Sequence, residues 1–131
     1  VVYEAPLQML ADNPTIYTKE LECTDFIAAV PTSFNETKAL DAQFGEYLVM
    51  ARRKNDDWFV GGMTNWTARD ITLDLSFLPA GAYTAELFRD GINADRDATK
   101  KKKEIQTVSN NRKLTIQLAP GGGFAMRLTK N

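Results

Sequence analysis

The chain has 131 residues, close to the modal size of one domain and enough for one ordinary hydrophobic core. Its 16 Lys and Arg stand against 17 Asp and Glu, a net charge of -1, so there is no uniformly basic field to draw a nucleic acid, and no apolar run approaches the roughly 20 residues of a membrane helix. Histidine is absent, which removes the commonest general base and the commonest zinc ligand, and the lone Cys23 cannot close an internal disulfide; set among apolar helical positions, it reads as a buried structural thiol.

The chain opens Val1-Val2-Tyr3, without an initiator methionine or a charged leader, which suggests a piece of something longer. Residues 1 to 12 are apolar, but Pro6 interrupts them and they are too short for a self-sufficient helix. Asn13-Pro14 is a good helix start, because Asn caps free amides and Pro costs nothing at the first helical position. A helix is expected from Pro14 to Val30, with Leu21, Thr24, Ile27 and Ala28 on one stripe, Cys23 and Phe26 near its edge, and Pro31 as the stop.

Residues 32 to 46 are mixed and polar, with one short strand expected near Thr37 to Leu40. The stretch from Tyr47 to Phe77 then reads as three consecutive antiparallel strands: Tyr47 to Lys54, Trp58 to Thr64 and Arg69 to Leu75, with turns at Asn55-Asp56-Asp57 and Asn65-Trp66-Thr67. Its end alternates Ile71, Leu73, Leu75 and Phe77 against Thr72, Asp74 and Ser76, the period of a sheet with one buried face.

After a turn at Pro79-Ala80-Gly81, a strand from Ala82 to Arg89 sets Tyr83, Ala85 and Leu87 against Thr84, Glu86 and Phe88. A long irregular loop follows from Asp90 to Lys103. Strands are then expected at Glu104 to Val108, Leu114 to Leu118 and Phe124 to Thr129, punctuated by Asn110-Asn111 and by Pro120 to Gly123. About seven or eight short strands at regular spacing, with no internal repeat, make the fold mainly β: an antiparallel two-layer β-sandwich preceded by one helix.

Residues offering chemistry are few. Asn93, Asp95 and Asp97 alternate as in a calcium loop, with Glu104 at the closing position. Ala98 stands where glycine is needed, though, and Lys100 to Lys103 add repelling charge, so the 93–104 loop reads as a solvated turn. The same lysines read as a solvated edge that guards a strand from sticking to a neighbour. Tyr47, Trp58, Phe59, Trp66, Tyr83 and Phe88 would stack on sugar rings if they shared an exposed face; core packing is the ordinary use, with Trp66 the best candidate because it sits in a turn. The Asp56-Asp57 and Glu20, Glu22 carboxylates lie on a hairpin and a helix surface without an apolar pocket, and the triple glycine at 121 to 123 lacks the Lys-Ser/Thr of a phosphate loop. No catalytic, cofactor-binding or metal-binding residue is assigned.

Four stretches taken together resemble the C-terminal end of glycoside hydrolase family 97, the calcium-dependent α-glucosidases and α-galactosidases of bacteria: VVYEAPLQMLADNP, ECTDFIAAVPTSFNETKALDAQFGEYLVMARRKNDDWFVGGMTNWT, FRDGINADRDA and LAPGGGFAMRL. Phe34-Asn35 stands where that pattern suggests a Trp-Asp pair before Glu36-Thr37. The resemblance implies an N-terminal β-sandwich, a catalytic (β/α)8 barrel and a C-terminal β-domain. On that plan residues 1–31 are the remnant of the barrel's end, its last strand and last helix, and residues 32–131 the C-terminal β-sandwich.

The resemblance further implies that the catalytic glutamates and the calcium site belong to the barrel, upstream of this chain. Whether cleavage retains or inverts configuration is decided there too. On that plan Gln8 and Asp12, after the last barrel strand, are candidates to border the pocket, because barrel sites form at the C-terminal ends of strands; ordinary loop contacts are the competing reading and the better one. The expected role is a non-catalytic accessory domain that packs on and stabilises the barrel of an enzyme acting on α-glucosides or α-galactosides, in the periplasm or on the outer surface of a bacterium. The alternative is a carbohydrate-binding module that grips α-glucan through exposed aromatics. The expected partners are the barrel and the sugar, with no nucleic acid and no membrane span.

Overall fold

The computed structural model describes residues 21–31, 33–90 and 101–131. Within them the chain forms one helix, α1 (Leu21–Ala29), and eight strands: β1 (Glu36–Gln43), β2 (Tyr47–Lys54), β3 (Asp57–Thr64), β4 (Arg69–Asp74), β5 (Ala82–Asp90), β6 (Lys101–Ser109), β7 (Lys113–Leu118) and β8 (Gly123–Lys130). All strand pairs are antiparallel. Six strands make a large sheet in the order β1-β2-β3-β8-β5-β6, and β4 and β7 pair as a separate two-stranded sheet laid across it. This is the mainly β, two-layer sandwich that the spacing predicts.

The core lies between the layers. From the large sheet come Val49 and Ala51 of β2, Trp58 and Val60 of β3, Phe124, Met126 and Leu128 of β8, Tyr83, Ala85 and Leu87 of β5 and Val108 of β6; from the small sheet come Ile71 and Leu73 with Leu114, Ile116 and Leu118. These are the alternate residues of each strand, so the pleat alone delivers them to one face. Two glycines permit the closest approach between strands. A Cβ on Gly62 would run into the ring of Phe124, and one on Gly123 would stand 2.5 Å from the carbonyl oxygen of Gly62. The Phe124 ring thus occupies the space that a side chain at position 62 would take.

Several expectations are corrected. The three strands between Tyr47 and Phe77 are not one meander: β2 and β3 pair, but β4 leaves for the second sheet and pairs with β7, from Arg69 opposite Leu118 to Asp74 opposite Lys113. Likewise the Asn110-Asn111 turn carries the chain from one sheet to the other. Alternation specifies which face a strand buries, and both layers bury the same kind of face, so it leaves the partner open. Strand β4 also stops at Asp74, where its carboxylate accepts from the Ser76 amide at 3.0 Å and starts a 3-10 turn, Leu75–Phe77. Leu75 stays buried, while Phe77 is half-buried with its edge on Trp58, centroids 5.0 Å apart.

Strand β1 is longer than the expected four residues, and β5 and β6 run on to Asp90 and back from Lys101, so Lys101 to Lys103 lie in a strand instead of a loop. The described part of the helix ends before Pro31 as expected; residues 14 to 20 lie outside the described residues. Its apolar stripe is not what meets the sheet. Leu21, Ile27 and Ala28 are exposed and Thr24 is half-buried, whereas Phe26 is buried with its ring edge on Phe88, centroids 5.0 Å apart. Phe88, which points away from the core, is therefore covered by the helix.

Candidate functional site

Among the described residues, one broad surface is the outer face of the six-stranded sheet. Register aligns its residues in rows across the strands. One row runs Thr37, Arg52, Phe59, Arg127, Glu86, Ile105, and the next Ala39, Met50, Gly61, Ala125, Phe88, Lys103. Arg127 pairs with Asp57 at 2.9 Å and lies over the Phe59 ring at 5.9 Å, and Lys103 pairs with Glu86 at 3.1 Å while lying over Phe88 at 5.5 Å. Phe34 sets its edge on Phe59 from above, at 6.1 Å, and the Arg52 guanidinium lies over Phe34 at 5.4 Å.

This face is thus already roofed over its middle by Phe34 and by Phe26 of α1, with the exposed Leu21 and Ile27 on the helix above it. Arg127 and Lys103 are each both paired and stacked, and Arg52 is stacked, so aromatic rings and partly neutralised charge share this surface. Such a surface suits a packed interface.

The second surface is one end of the sandwich, where three turns meet: the β1–β2 turn at Phe44 to Glu46, the β3–β4 connection at Asn65 to Thr67, and the β7–β8 turn at Ala119 to Gly122. Asn65 joins all three. Its amide donates to the Glu46 carbonyl at 2.8 Å, its carbonyl accepts from Gly121 N–H at 2.7 Å, and its side-chain Nδ2 donates to the Gly45 carbonyl at 3.3 Å. Its Oδ1 accepts from the Thr67 amide at 3.0 Å and from Arg69 at 3.2 Å. Arg69 in turn pairs with Glu46 at 3.4 Å and lies over Tyr47 at 5.0 Å. The cluster displays Trp66 and Phe44, 85% and 105% exposed.

Of the aromatics considered as a sugar platform, Trp58, Phe59, Tyr83 and Phe88 are buried and Tyr47 is half-buried. Trp66 alone among those six is exposed, so they share no open face. Tyr83 is a core residue whose hydroxyl donates to the Pro79 carbonyl at 3.0 Å, and burial pushes its pKa up. The Tyr47 hydroxyl donates to Asp41 at 3.1 Å, and that bond raises its pKa.

Grooves open where the small sheet fails to cover the large one. One of about 360 Å³ lies between β5, β6 and β7, and its Arg89 and Glu104 are paired at 2.8 Å. Another of about 600 Å³ lies between β1 and β4, lined by Lys38, Leu40 and Phe77 among others. Hydrolysing a glycosidic bond requires two carboxyl groups flanking it, one of which keeps its proton. Here the shifts go the other way. Arg53 and Lys38 hold Glu36 below the usual glutamate range, and Arg89 and Lys102 do the same to Glu104, so both stay ionised. Lys103 is raised by its bond to Glu86.

Lys102 pairs with Glu104 at 2.9 Å, and β6 is an edge strand, so the basic run sits where charge blunts an open edge, as its composition suggests. Among the described residues no group of three or more His, Cys, Asp or Glu could hold a metal, and no helix is long and apolar enough to cross a membrane. Gln8, Asp12, Glu20 and positions 93 to 98 of the loop lie outside the described residues, and the Cys23 side chain is not among those described. What sequence reasoning missed is Phe44 and the role of Asn65. An apolar residue before Gly45 at a hairpin tip was the available signal for the first.

The model of the family described as "Glycosyl-hydrolase 97 C-terminal, oligomerisation" matches residues 33–129. The chain is 50% identical over 128 residues to a retaining alpha-galactosidase of Bacteroides thetaiotaomicron, covering 98% of this chain and 19% of that protein. It is 28% identical over 125 residues to a probable retaining alpha-galactosidase of Streptomyces bingchenggensis, covering 95% and 19%. Among solved structures, a glycoside hydrolase family 97 enzyme from Pseudoalteromonas sp. strain K8, in complex with acarbose, superposes with a TM-score of 0.90 at 34% identity, covering 95% of this chain and 20% of that one. The chain spans about a fifth of the length of the relatives it matches. With 97 of its residues inside the family's bounds and its fold shared with an enzyme of family 97, this chain belongs to the C-terminal family of glycosyl-hydrolase 97.

Proposed function

We propose that the chain is the non-catalytic accessory domain of a larger family 97 glycoside hydrolase, and that it stabilises the catalytic barrel by packing against it. The observation that carries this reading is the outer face of the large sheet. Its Lys103 and Arg127 are neutralised by Glu86 and Asp57, Phe88 and Phe59 are stacked under Phe26 and Phe34, and α1 turns Leu21 and Ile27 away from the sheet. A helix with apolar residues on both sides belongs between two layers. On this reading residues 1–31 are the end of the barrel and residues 32–131 the sandwich, so α1 is the shared layer. Identity favours α-galactosides over α-glucosides as the parent's substrates, because the half-identical relative is a retaining alpha-galactosidase. Calcium would belong to the barrel, and a periplasmic or outer-surface location would suit the substrate.

Deleting residues 47–131 from the full-length enzyme tests the supporting role. The expected product is insoluble, or unfolds at a markedly lower temperature than the intact enzyme; a soluble and fully active truncation refutes it. A glycan-gripping module is the weaker reading, since four of the six candidate rings are buried and a fifth is half-buried.

A further inference from the structure

We infer that the groove between β5, β6 and β7 is a binding site for one neutral sugar ring, separate from the chemistry assigned to the barrel. The choice of a sugar rests on the accessory-domain reading, and it needs no aromatic platform. The groove itself stands on the geometry of this chain.

The first observation is where polar residues fall. Side chains alternate along a strand, so Arg89 lies on the core side of β5 with Ala85 and Leu87, and Glu104 and Gln106 lie on the core side of β6 with Val108. Register sets Glu104 beside Leu87 and Gln106 beside Ala85. Positions in the core phase thus turn polar where the small sheet stops short of the large one, and a groove of about 360 Å³ opens there. That volume is within the roughly 300–1,000 Å³ of small-molecule clefts. Buried Leu87 and Ile116 line it, and so do exposed Thr115 and Gln117 of β7, with Asp70 of β4 directly opposite Gln117.

The second observation is what these groups leave uncommitted. Arg89 Nε, Arg89 Nη2 and Lys102 Nζ all meet the same Glu104 oxygen, Oε1, at 3.3, 2.8 and 2.9 Å. Among the described residues, Glu104 Oε2 and Arg89 Nη1 keep no partner, and neither do the side chains of Asp70, Gln106, Thr115 and Gln117. Charge is balanced here, Arg89 and Lys102 against Glu104 and Asp70, so neither an anion nor a cation is favoured. An anion would also have to break the charge-assisted Arg89–Glu104 pair. What remains is a mixed set: amides that donate and accept, a hydroxyl that does either, and carboxylate oxygens that accept. Sugar hydroxyls offer the same mixture side by side, and a pyranose ring adds an apolar face for Leu87 and Ile116. The groove is also separate from the outer sheet face assigned to the barrel, so both can be occupied together.

Equilibrium dialysis of the full-length enzyme against galactose and, separately, glucose tests this. Wild type is compared with Gln106→Ala, Gln117→Ala, the double variant, Thr115→Trp and Ile105→Ser, a control at an exposed residue of the opposite face of β6. For at least one of the two sugars, wild type should bind one more molecule per polypeptide than the double variant. Each single alanine should weaken that extra site about fivefold, as loss of one hydrogen bond does. The double variant, and Thr115→Trp, which fills the groove instead of emptying it, should lose the site at unchanged melting temperature and unchanged turnover. Ile105→Ser should keep it. The methyl β-glycoside of the bound sugar, which an α-glycosidase leaves intact, separates two sources of the same chemistry: its binding marks a seat for a unit of a glycan, and its exclusion a seat for released product. Equal numbers of sugars bound by wild type, the double variant and Thr115→Trp overturn the inference. Hydrolysis by the isolated chain, a separate readout, would instead refute the accessory-domain reading.

Discussion

The carbonyl of Asn65 accepts the Gly121 N–H at 2.7 Å, which fastens the β3–β4 connection to the turn that opens β8. Through Asn65 the chain's two sheets share a single rigid end, because this residue also bonds the β1–β2 turn. Its side chain makes three hydrogen bonds, and a hydrophobic substitution would leave their partners wanting. Asn65→Leu should therefore destabilise the domain by about 1–3 kcal/mol, read from the urea midpoint at unchanged slope. A change below about 0.5 kcal/mol would mean that the turns hold one another without it.

Gly123 tests the close approach of β3 and β8. A Cβ there would stand 2.5 Å from the backbone carbonyl of Gly62, which cannot swing aside as a side chain would. Gly123→Ala should cost about 1–3 kcal/mol by overpacking. An unchanged midpoint would show that the strands separate freely at this point.

Buried and exposed aromatics should differ sharply. Phe59 is 1% exposed beneath Phe34 and Arg127, so Phe59→Ala should lose about 3–5 kcal/mol, whereas Trp66→Ala at 85% exposure should fall within about 0.5 kcal/mol. Equal losses in thermal unfolding would contradict the placement of both rings.

Glu104 carries a pH prediction. Arg89 first, then Lys102, lower its pKa from the ordinary 4.5 in the folded state. A carboxylate with a depressed folded pKa contributes stability that is present above its unfolded value and is lost as pH falls through the folded one. Stability should therefore decline below about pH 4.5, and Glu104→Gln should flatten part of that decline. Urea midpoints measured against pH for the two proteins would show parallel curves if the ion pairs contribute nothing.

The sequence carried the strand edges better than their partners. Gly45 and Asn55-Asp56 bracket Tyr47–Lys54, whose ends fall where those turn residues put them. The partner of β4 was illegible, because Ile71 and Leu73 announce a buried face and are silent on which strand lies beside it. The helix misled for a related reason. A stripe of Leu21, Thr24, Ile27 and Ala28 identifies an apolar side, but Phe26, near its edge, is what reaches Phe88, and an α-helix with two apolar sides does not say which layer takes which. As for the candidate surfaces, Trp66 was legible because a tryptophan in a turn has no core to enter. The role of Asn65 was not, since its partners Gly45, Glu46 and Gly121 are distant in sequence and meet only once the sheet has closed.

The claim that this chain supports an enzyme without doing its chemistry is tested most directly by one pair of assays. Hydrolysis of p-nitrophenyl α-galactoside and α-glucoside would be followed with the purified 131-residue chain and with the full-length parent. An inert chain beside a parent that cleaves the α-galactoside is the expected result. Turnover by the chain itself would contradict it, and would place a working pair of carboxylates among residues assigned here to ion pairs and turns.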